Sequence, residues 1–305
     1  MFDWDAIIIG GGPAGLTAGL YLSRAGRRTL LLDKDAPGGY PRNIELIENY
    51  PGFEKGVSGA ALATQMVNQA RESGLQTENQ EATGIELFSG TRYVNCAGGL
   101  GYTTNIIIIA GGSKNKKLGV PGEAEFAGKG VFECALCDGG KFAGKSVAVC
   151  GGGDAGLTEA LYMANIASSV TVMEFLPDLT ATAVLQERVK ANPKIHVITG
   201  AGVEAIKGGE TVEGIAYSRY GKPHNLQVDG VLVHIGLLPE TSWLEGILPL
   251  DAQGYIVVDG NMQTEIPHLF AAGDIRSGSP RQVVTAVGDG AIAAIAANKL
   301  LQQEE

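Results

Sequence analysis

The chain has 305 residues, enough for two domains that each bury a core of their own. Its 45 glycines gather in loops between strongly apolar runs, which excludes a low-complexity or collagen-like chain and predicts several tight backbone approaches. A formal net charge of −10 weighs against nucleic acid or an anionic membrane surface as a partner.

The first strand is expected almost at once, Asp5-Ala-Ile-Ile-Ile-Gly10, which leaves no room ahead of it for a secretory leader. The loop Gly10-Gly-Gly12-Pro13-Ala14-Gly15 follows, then a helical pattern through Arg24, then a second strand from Thr29 that ends at Asp33. Further on, Asn105-Ile-Ile-Ile-Ile-Ala110 reads as a buried strand closing on a turn at Gly111 and Gly112. The apolar run Ile106–Ala110 is too short to cross a bilayer. The expectation is therefore a cytoplasmic protein without a transmembrane segment. Ser113–Lys117, basic and polar, reads as the start of a linker.

Four cysteines come into play from here. Cys96 and Cys150 stand alone in apolar, strand-like segments and read as core residues. Cys134 and Cys137 have C-x-x-C spacing with no second such pair and no suitably spaced histidines, so no metal site is expected. In a cytosolic chain that pair points to redox work. Asp138 follows directly and is placed for general acid–base chemistry or for capping a helix.

Residues 146–156 repeat the opening unit: strand Ser146-Val-Ala-Val-Cys150, loop Gly151-Gly-Gly153-Asp154-Ala-Gly156, then a helix to about Ile166. Its second strand, Val170-Thr-Val-Met, ends at Glu174. In each copy the carboxylate follows the first loop glycine by 23 positions. A lone G-x-G-x-x-G is weak evidence, but here each has a strand before it, a helix after it and a carboxylate ending the next strand. The first glycine permits the turn, the second lets backbone approach a pyrophosphate, and the third lets helix and strand pack closely. The pyrophosphate rests on a helix N-terminus and the carboxylate accepts from a ribose. Leu232-Val-His-Ile-Gly236 reads as another buried strand, Leu238-Pro-Glu240 as a return crossing, Leu269-Phe-Ala-Ala-Gly-Asp274 as strand then turn, and Val283–Leu301 as a closing apolar helix. The expected fold class is α/β, with two Rossmann-like, three-layer dinucleotide-binding domains, the second inserted into the first.

Four features occur in order: Gly10–Gly15 with Asp33, Glu48-Asn-Tyr-Pro-Gly-Phe53, Cys134-Ala-Leu-Cys-Asp138, and Gly273-Asp274 followed by Arg281-Gln282. As a set they resemble the low-molecular-weight thioredoxin reductase family over nearly the whole chain. The resemblance implies an FAD-dependent disulfide oxidoreductase and a homodimer, acting with a thioredoxin-like protein or a small dithiol. It implies that residues 1–116 plus 245–305 bind FAD, and that 117–244 form a second dinucleotide-type domain carrying the disulfide. It sets Cys137 against the flavin and Cys134 toward the partner, Asp33 on the adenosine ribose, and Asp274 on the ribityl–pyrophosphate portion. Arg281-Gln282 and Asn49 are implied near the isoalloxazine, with Lys34, Gly39, Gly111 and Val283 flanking these motifs.

The sequence departs from the family in two places. NADPH-dependent members carry a basic His-Arg-Arg and a further Arg after the second domain's second strand, whereas here the stretch is Glu174-Phe-Leu-Pro-Asp-Leu-Thr180, and no Lys or Arg follows until Arg188. A 2′-phosphate at ~5 Å from Glu174, in an effective dielectric of ~20, costs about 3 kcal/mol, on the order of a hundredfold in affinity. NADPH is therefore not the expected reductant. The second site is left to a second FAD, which this reading favours, as in a diflavin-linked branch of the family, to NADH, or to no nucleotide, with electrons exchanged through ferredoxin or a dithiol. Oxidation of a partner dithiol stays open as the direction of flow. The second departure is Gly38-Gly-Tyr40, where the family has glutamine after the glycines; Tyr40 either meets a flavin ring or packs at the loop base.

Overall fold

The computed structural model describes residues 2–88 and 90–304. The chain forms two compact units, Met1–Lys114 with Leu238–Glu305, and Asn115–Leu237. The sequence expectation set these crossings a little later, at 116/117 and 244/245. The segment after Leu237 belongs to the first unit because Glu240 pairs there with Lys34 (3.1 Å) and Lys114 (3.3 Å), and Leu244 is fully buried in that unit's core.

In chain order the first unit opens with β1 (Trp4–Ile9), α1 (Pro13–Arg24) and β2 (Thr29–Asp33), followed by α2 (Gly59–Glu72) and β3 (Gln76–Asn79). Ser58 starts α2 by accepting the Ala61 N–H on its hydroxyl at 3.2 Å. A meander then runs through β4 (Ala82–Phe88), β5 (Thr91–Cys96) and β6 (Gly101–Ile109). The sheet order is β3-β2-β1-β6-β5-β4. Ile106–Ile109 of β6 are all fully buried, as a central strand covered on both faces requires. Each such side chain contributes about 2 kcal/mol relative to exposure. The next strand, β7 (Ser113–Asn115), starts the crossing.

The second unit has β8 (Val131–Phe132), the short helix α3 (Ala135–Asp138), β9 (Ser146–Cys150), α4 (Asp154–Ala164), β10 (Ser169–Met173), α5 (Ala183–Ala191) and β11 (Ile195–Ile198). The meander β12 (Ala201–Gly208), β13 (Val212–Arg219) and β14 (Lys222–Gln227) leads into β15 (Gly230–Val233). Its parallel sheet runs β11-β10-β9-β15-β8. The order β3-β2-β1-β6 is thus matched by β11-β10-β9-β15, and in each unit a three-stranded antiparallel meander separates the third strand from the fourth or ends in it. The repeat seen in the glycine loops extends to the architecture.

The chain returns through β16 (Leu237–Pro239), which pairs with β7, and then gives β17 (Leu269–Ala271) and α6 (Val283–Gln303). β17 pairs in parallel with Ile107–Ile109, while β5 pairs antiparallel with Gly101–Thr104, so one edge of β6 serves two partners in succession. By length and composition α6 could cross a membrane, with a mean hydropathy of 1.3. Its buried residues Ala286, Gly290, Ala293, Ala294 and Ala297 belong instead to the core of the first unit, packed on α1. The small side chains let the two helices approach until a Cβ on Gly290 would lie 2.1 Å from the Ala14 carbonyl oxygen. Gly288, two residues earlier, is exposed and its Cβ would meet nothing within 4 Å. Gly290→Ala is expected to lower the free energy of unfolding by about 1–3 kcal/mol through forced separation, and Gly288→Ala to raise it by about 0.5–1 kcal/mol through helix propensity. Urea unfolding of the two variants, read against the unsubstituted protein, checks both signs.

Candidate active site

Each glycine loop is built by the same three constraints. Gly10 has φ +107°, and a Cβ there would lie 2.3 Å from the Ala110 carbonyl oxygen; a Cβ on Gly15 would lie 1.9 Å from that of Gly10. Both positions are reserved by the protein's own backbone. Gly12 is different: the nearest atom to a Cβ would be Gly39 Cα at 3.9 Å. It precedes Pro13 at the head of α1 and makes no side-chain cap. The protein does not need glycine at this point for itself, whereas a pyrophosphate laid on the helix N-terminus does. This cradle fits the diphosphate of FAD. Asp33 completes it, accepting the Gly11 N–H on Oδ2 (2.6 Å) and the Asp35 N–H on Oδ1 (2.8 Å). A carboxylate has about four acceptor sites, so each oxygen keeps capacity for a ribose hydroxyl.

The second loop repeats this in detail. A Cβ on Gly151 (φ +123°) would lie 2.0 Å from the His234 carbonyl oxygen, and one on Gly156 would lie 2.1 Å from that of Gly151. At Gly153, the cap of α4, the nearest atom would be Thr180 Oγ1 at 3.6 Å. Glu174 accepts the Gly152 N–H on Oε2 (2.6 Å) and the Leu176 N–H on Oε1 (2.8 Å), the same two relative positions that Asp33 serves. Asp154, first in α4, accepts the Thr182 N–H at 2.6 Å and so ties the loop to the start of α5. After Glu174 the surface is apolar: Phe175 is 75% exposed and Leu176 46%. Arg219 on β13 donates to the Thr199 carbonyl (3.0 Å) and lies over the Tyr220 ring, 5.3 Å from its centroid.

Around the first loop, Gly38 donates its N–H to the Gly11 carbonyl at 2.7 Å, and a Cβ on Gly39 would lie 2.7 Å from Gly12 Cα, so this turn lies directly on the cradle. Tyr40 begins the 3₁₀ turn that follows and is 42% exposed. Asn49 and Gln282, far apart in sequence, meet: Asn49 Nδ2 donates to Gln282 Oε1 at 2.9 Å. Gln282 also caps α6, whose first residue is Val283. Arg281 adopts a left-handed φ of +58° with its guanidinium over the Tyr255 ring. A Cβ on Gly273 would lie 2.9 Å from Ala14 Cβ, and one on Gly111 3.3 Å from Ile275 Cδ1. Burial raises the Asp274 carboxyl above its ordinary range; the hydrogen bond it accepts on Oδ1 from the Ser279 hydroxyl is long at 3.5 Å. Such a carboxyl suits a ligand hydroxyl. Lys34 turns its ammonium to Glu240.

Two residues that the sequence reading missed hold this turn. Buried Asp289 on α6 accepts from Arg276 at both oxygens (2.6 and 2.9 Å) and takes the Gly273 N–H at 3.1 Å. A lone acidic residue in an otherwise apolar helix, followed by Gly290, was the available signal.

Cys134 and Cys137 form a disulfide, with Cα atoms 5.4 Å apart. Cys134 caps α3, its sulfur accepting the Cys137 N–H at 3.1 Å; Cys137 is exposed and Cys134 half-buried. Asp138 makes no side-chain cap: its carboxylate pairs with Lys141 at 2.6 Å. Cys96 and Cys150 are free and buried, and burial raises both thiols, that of Cys150 to about 12. Neither is a nucleophile at neutral pH.

The family model for pyridine nucleotide-disulphide oxidoreductases matches residues 4–290. Thioredoxin reductase of Bacillus subtilis (strain 168) is 40% identical over 295 residues, covering 95% of this chain and 92% of the relative. That of Treponema pallidum (strain Nichols) is 40% identical over 300 residues, 97% and 96% of the two chains. The crystal structure of Lactococcus lactis thioredoxin reductase (FR conformation) matches with a TM-score of 0.96 at 36% identity, covering 99% of this chain and 100% of that one. This chain belongs to the pyridine nucleotide-disulphide oxidoreductase family and is a thioredoxin reductase-like flavin disulfide oxidoreductase, for which FAD is the expected cofactor.

Asp289→Asn leaves the Arg276 guanidinium without its counter-charge at a buried position. The expected cost is about 3–5 kcal/mol of unfolding free energy, with weakened flavin retention through the Gly273 turn. Urea unfolding and the flavin absorbance per chain after gel filtration measure the two effects.

Proposed function

We propose that the first unit holds FAD through Gly10–Gly15, Asp33, Gly111, Asp274 and the Asn49–Gln282 pair, with Lys34 and Val283 flanking, and exchanges two electrons with the Cys134–Cys137 couple. Bound FAD supplies the two-electron chemistry. The chain's own residues orient it, and the Asp138–Lys141 pair next to Cys137 is placed to hold and move the proton that accompanies thiol formation. Cys137 takes the flavin side of the couple and Cys134 the partner side. The partner is a thioredoxin-like protein, in keeping with the relatives' names, or a small dithiol, and the working form is a homodimer. Val284, Ile292 and Ile295 form an apolar, exposed face of α6 that supports association.

The second site is assigned to an adenine dinucleotide without a 2′-phosphate, a second FAD rather than NADPH. The observation that weighs against NADPH is Glu174: it is buried, held by two backbone N–H groups, and followed by exposed Phe175 and Leu176 where a phosphate needs cations. Gly153 supports occupancy, since the protein's own packing leaves room for a side chain there. If NADPH does not feed the flavin, oxidation of a partner dithiol becomes as open as reduction of a disulfide. The runner-up is a thioredoxin reductase driven by NADH or ferredoxin, which the names of the curated relatives favour as to direction.

Release of flavin by denaturation is expected to give two FAD per polypeptide, and one per polypeptide sinks the two-flavin assignment. Anaerobic titration, followed at the flavin band, is expected to show NADPH bleaching it at least about a hundredfold less effectively than a dithiol does. Full bleaching by stoichiometric NADH instead establishes the runner-up. Tyr40 is proposed to flank the flavin ring; Tyr40→Ala is expected to shift the flavin absorbance maximum, and an unchanged spectrum discards that role.

A further inference from the structure

Glu159 lies on α4 (Asp154–Ala164), within a turn of Gly156 at the end of the glycine loop, and the redox chemistry described above makes no use of it. Its Oε2 accepts the Ala135 N–H at 2.8 Å. Ala135 is the first residue of α3 and follows Cys134 directly, so this carboxyl caps the same turn that presents its Cys137 N–H to the Cys134 sulfur. The turn offers two backbone donors near one point. Cys134 Sγ takes one and Glu159 takes the other.

Among the described residues, no cation on a neighbouring element neutralises this carboxyl. On the cysteine segment, Glu133 pairs with Lys117 and Asp138 with Lys141. On α4 itself, Asp154 accepts the Thr182 N–H. His234, at the end of β15, has its Nε2 on the Glu133 carbonyl oxygen, and burial lowers its pKa. Lys194, below the end of α4, donates to the Ala164 and Ala167 carbonyls. Glu187, Arg188 and Lys190 on α5 and His196 on β11 complete the charged set of the elements packed on α4, and none of these groups is among the influences on Glu159. Burial raises its carboxyl to about 7, with the Ala135 N–H opposing.

We propose that Glu159 is a positioning residue for the dithiol, holding the Ala135 N–H at the head of α3 and setting its own charge against the Cys134 thiolate. Once the disulfide is reduced, the pocket carries one negative charge in either of two arrangements: carboxylate with thiol, or carboxyl with thiolate. A proton leaving the sulfur is matched by one arriving at Glu159. The attacking thiol therefore becomes a thiolate only as Glu159 gains the proton that the sulfur loses, which couples reactivity toward a partner disulfide to the protonation of this carboxyl.

The test uses the flavin-loaded protein carrying Cys137→Ser, in which Cys134 is the accessible thiol, and follows its alkylation by iodoacetamide against pH by mass spectrometry of the Cys134 peptide. Adding Glu159→Gln, which keeps an acceptor for the Ala135 N–H and removes the charge, is expected to lower the midpoint by about one pH unit, with about tenfold faster alkylation below it. Glu159→Asp, which keeps the charge, is expected to restore the parent profile. A purely structural cap predicts an unchanged or raised midpoint in Glu159→Gln, and either result overturns the proposal. The parent gives a second measure that needs no substitution at Glu159. Alkylating Cys134 removes the thiolate and is expected to alter the pH at which the buried carboxyl titrates in infrared difference spectra; an unaltered titration also overturns it.

Discussion

A carboxylate at the end of one strand, reaching across to a backbone N–H in the loop that follows its neighbour, organises each half of this molecule. Asp33 takes the Gly11 N–H and Glu174 the Gly152 N–H, both at 2.6 Å. Charge-assisted bonds of this length fix a loop that has no side chains with which to fix itself. The outer glycines are dictated by neighbouring carbonyl oxygens, and the middle one is left over for a ligand. The turn at Gly38–Gly39 is joined to the same loop through the Gly38 N–H on the Gly11 carbonyl.

The two cradles share geometry yet differ in chemistry one residue further on. Asp33 is followed by Lys34, which pairs with Glu240, whereas Glu174 is followed by exposed Phe175 and Leu176. A fold can therefore keep a nucleotide site intact while changing which nucleotide is tolerated, because the loop reads the diphosphate and the next residues read the ribose. The redox centre shows a similar economy. Four helical residues, Ala135–Asp138, are enough to place one sulfur on a backbone N–H and a carboxylate beside a lysine.

The parallel cores were legible in the sequence because both faces of their strands are buried. Runs such as Ile106–Ile109 and Val147–Cys150 admit no other reading once glycine loops bound them. The meanders were not. Strands such as Lys222–Gln227 are exposed at nearly every residue, and their period-2 signal is lost among polar side chains. The pairs Asn49–Gln282 and Arg276–Asp289 join segments that only the fold brings together or that lie on opposite sides of a turn, so residue type alone could not match them. Glu159 was unreadable because its meaning depends on a backbone N–H twenty-four positions earlier.

Strands β7 and β16 are hydrogen-bonded neighbours, so the chain leaves the first unit and re-enters it at adjacent points. An insertion of some 120 residues therefore burdens its host no more than a surface loop, since the closure entropy of a loop grows only slowly with length. Grafting and excision become natural operations at that ribbon. A different nucleotide module, or a short hairpin, could be spliced between Lys114 and Leu238 without rethreading the flavin sheet, which offers a structural route by which one electron-transfer scaffold acquires new donors.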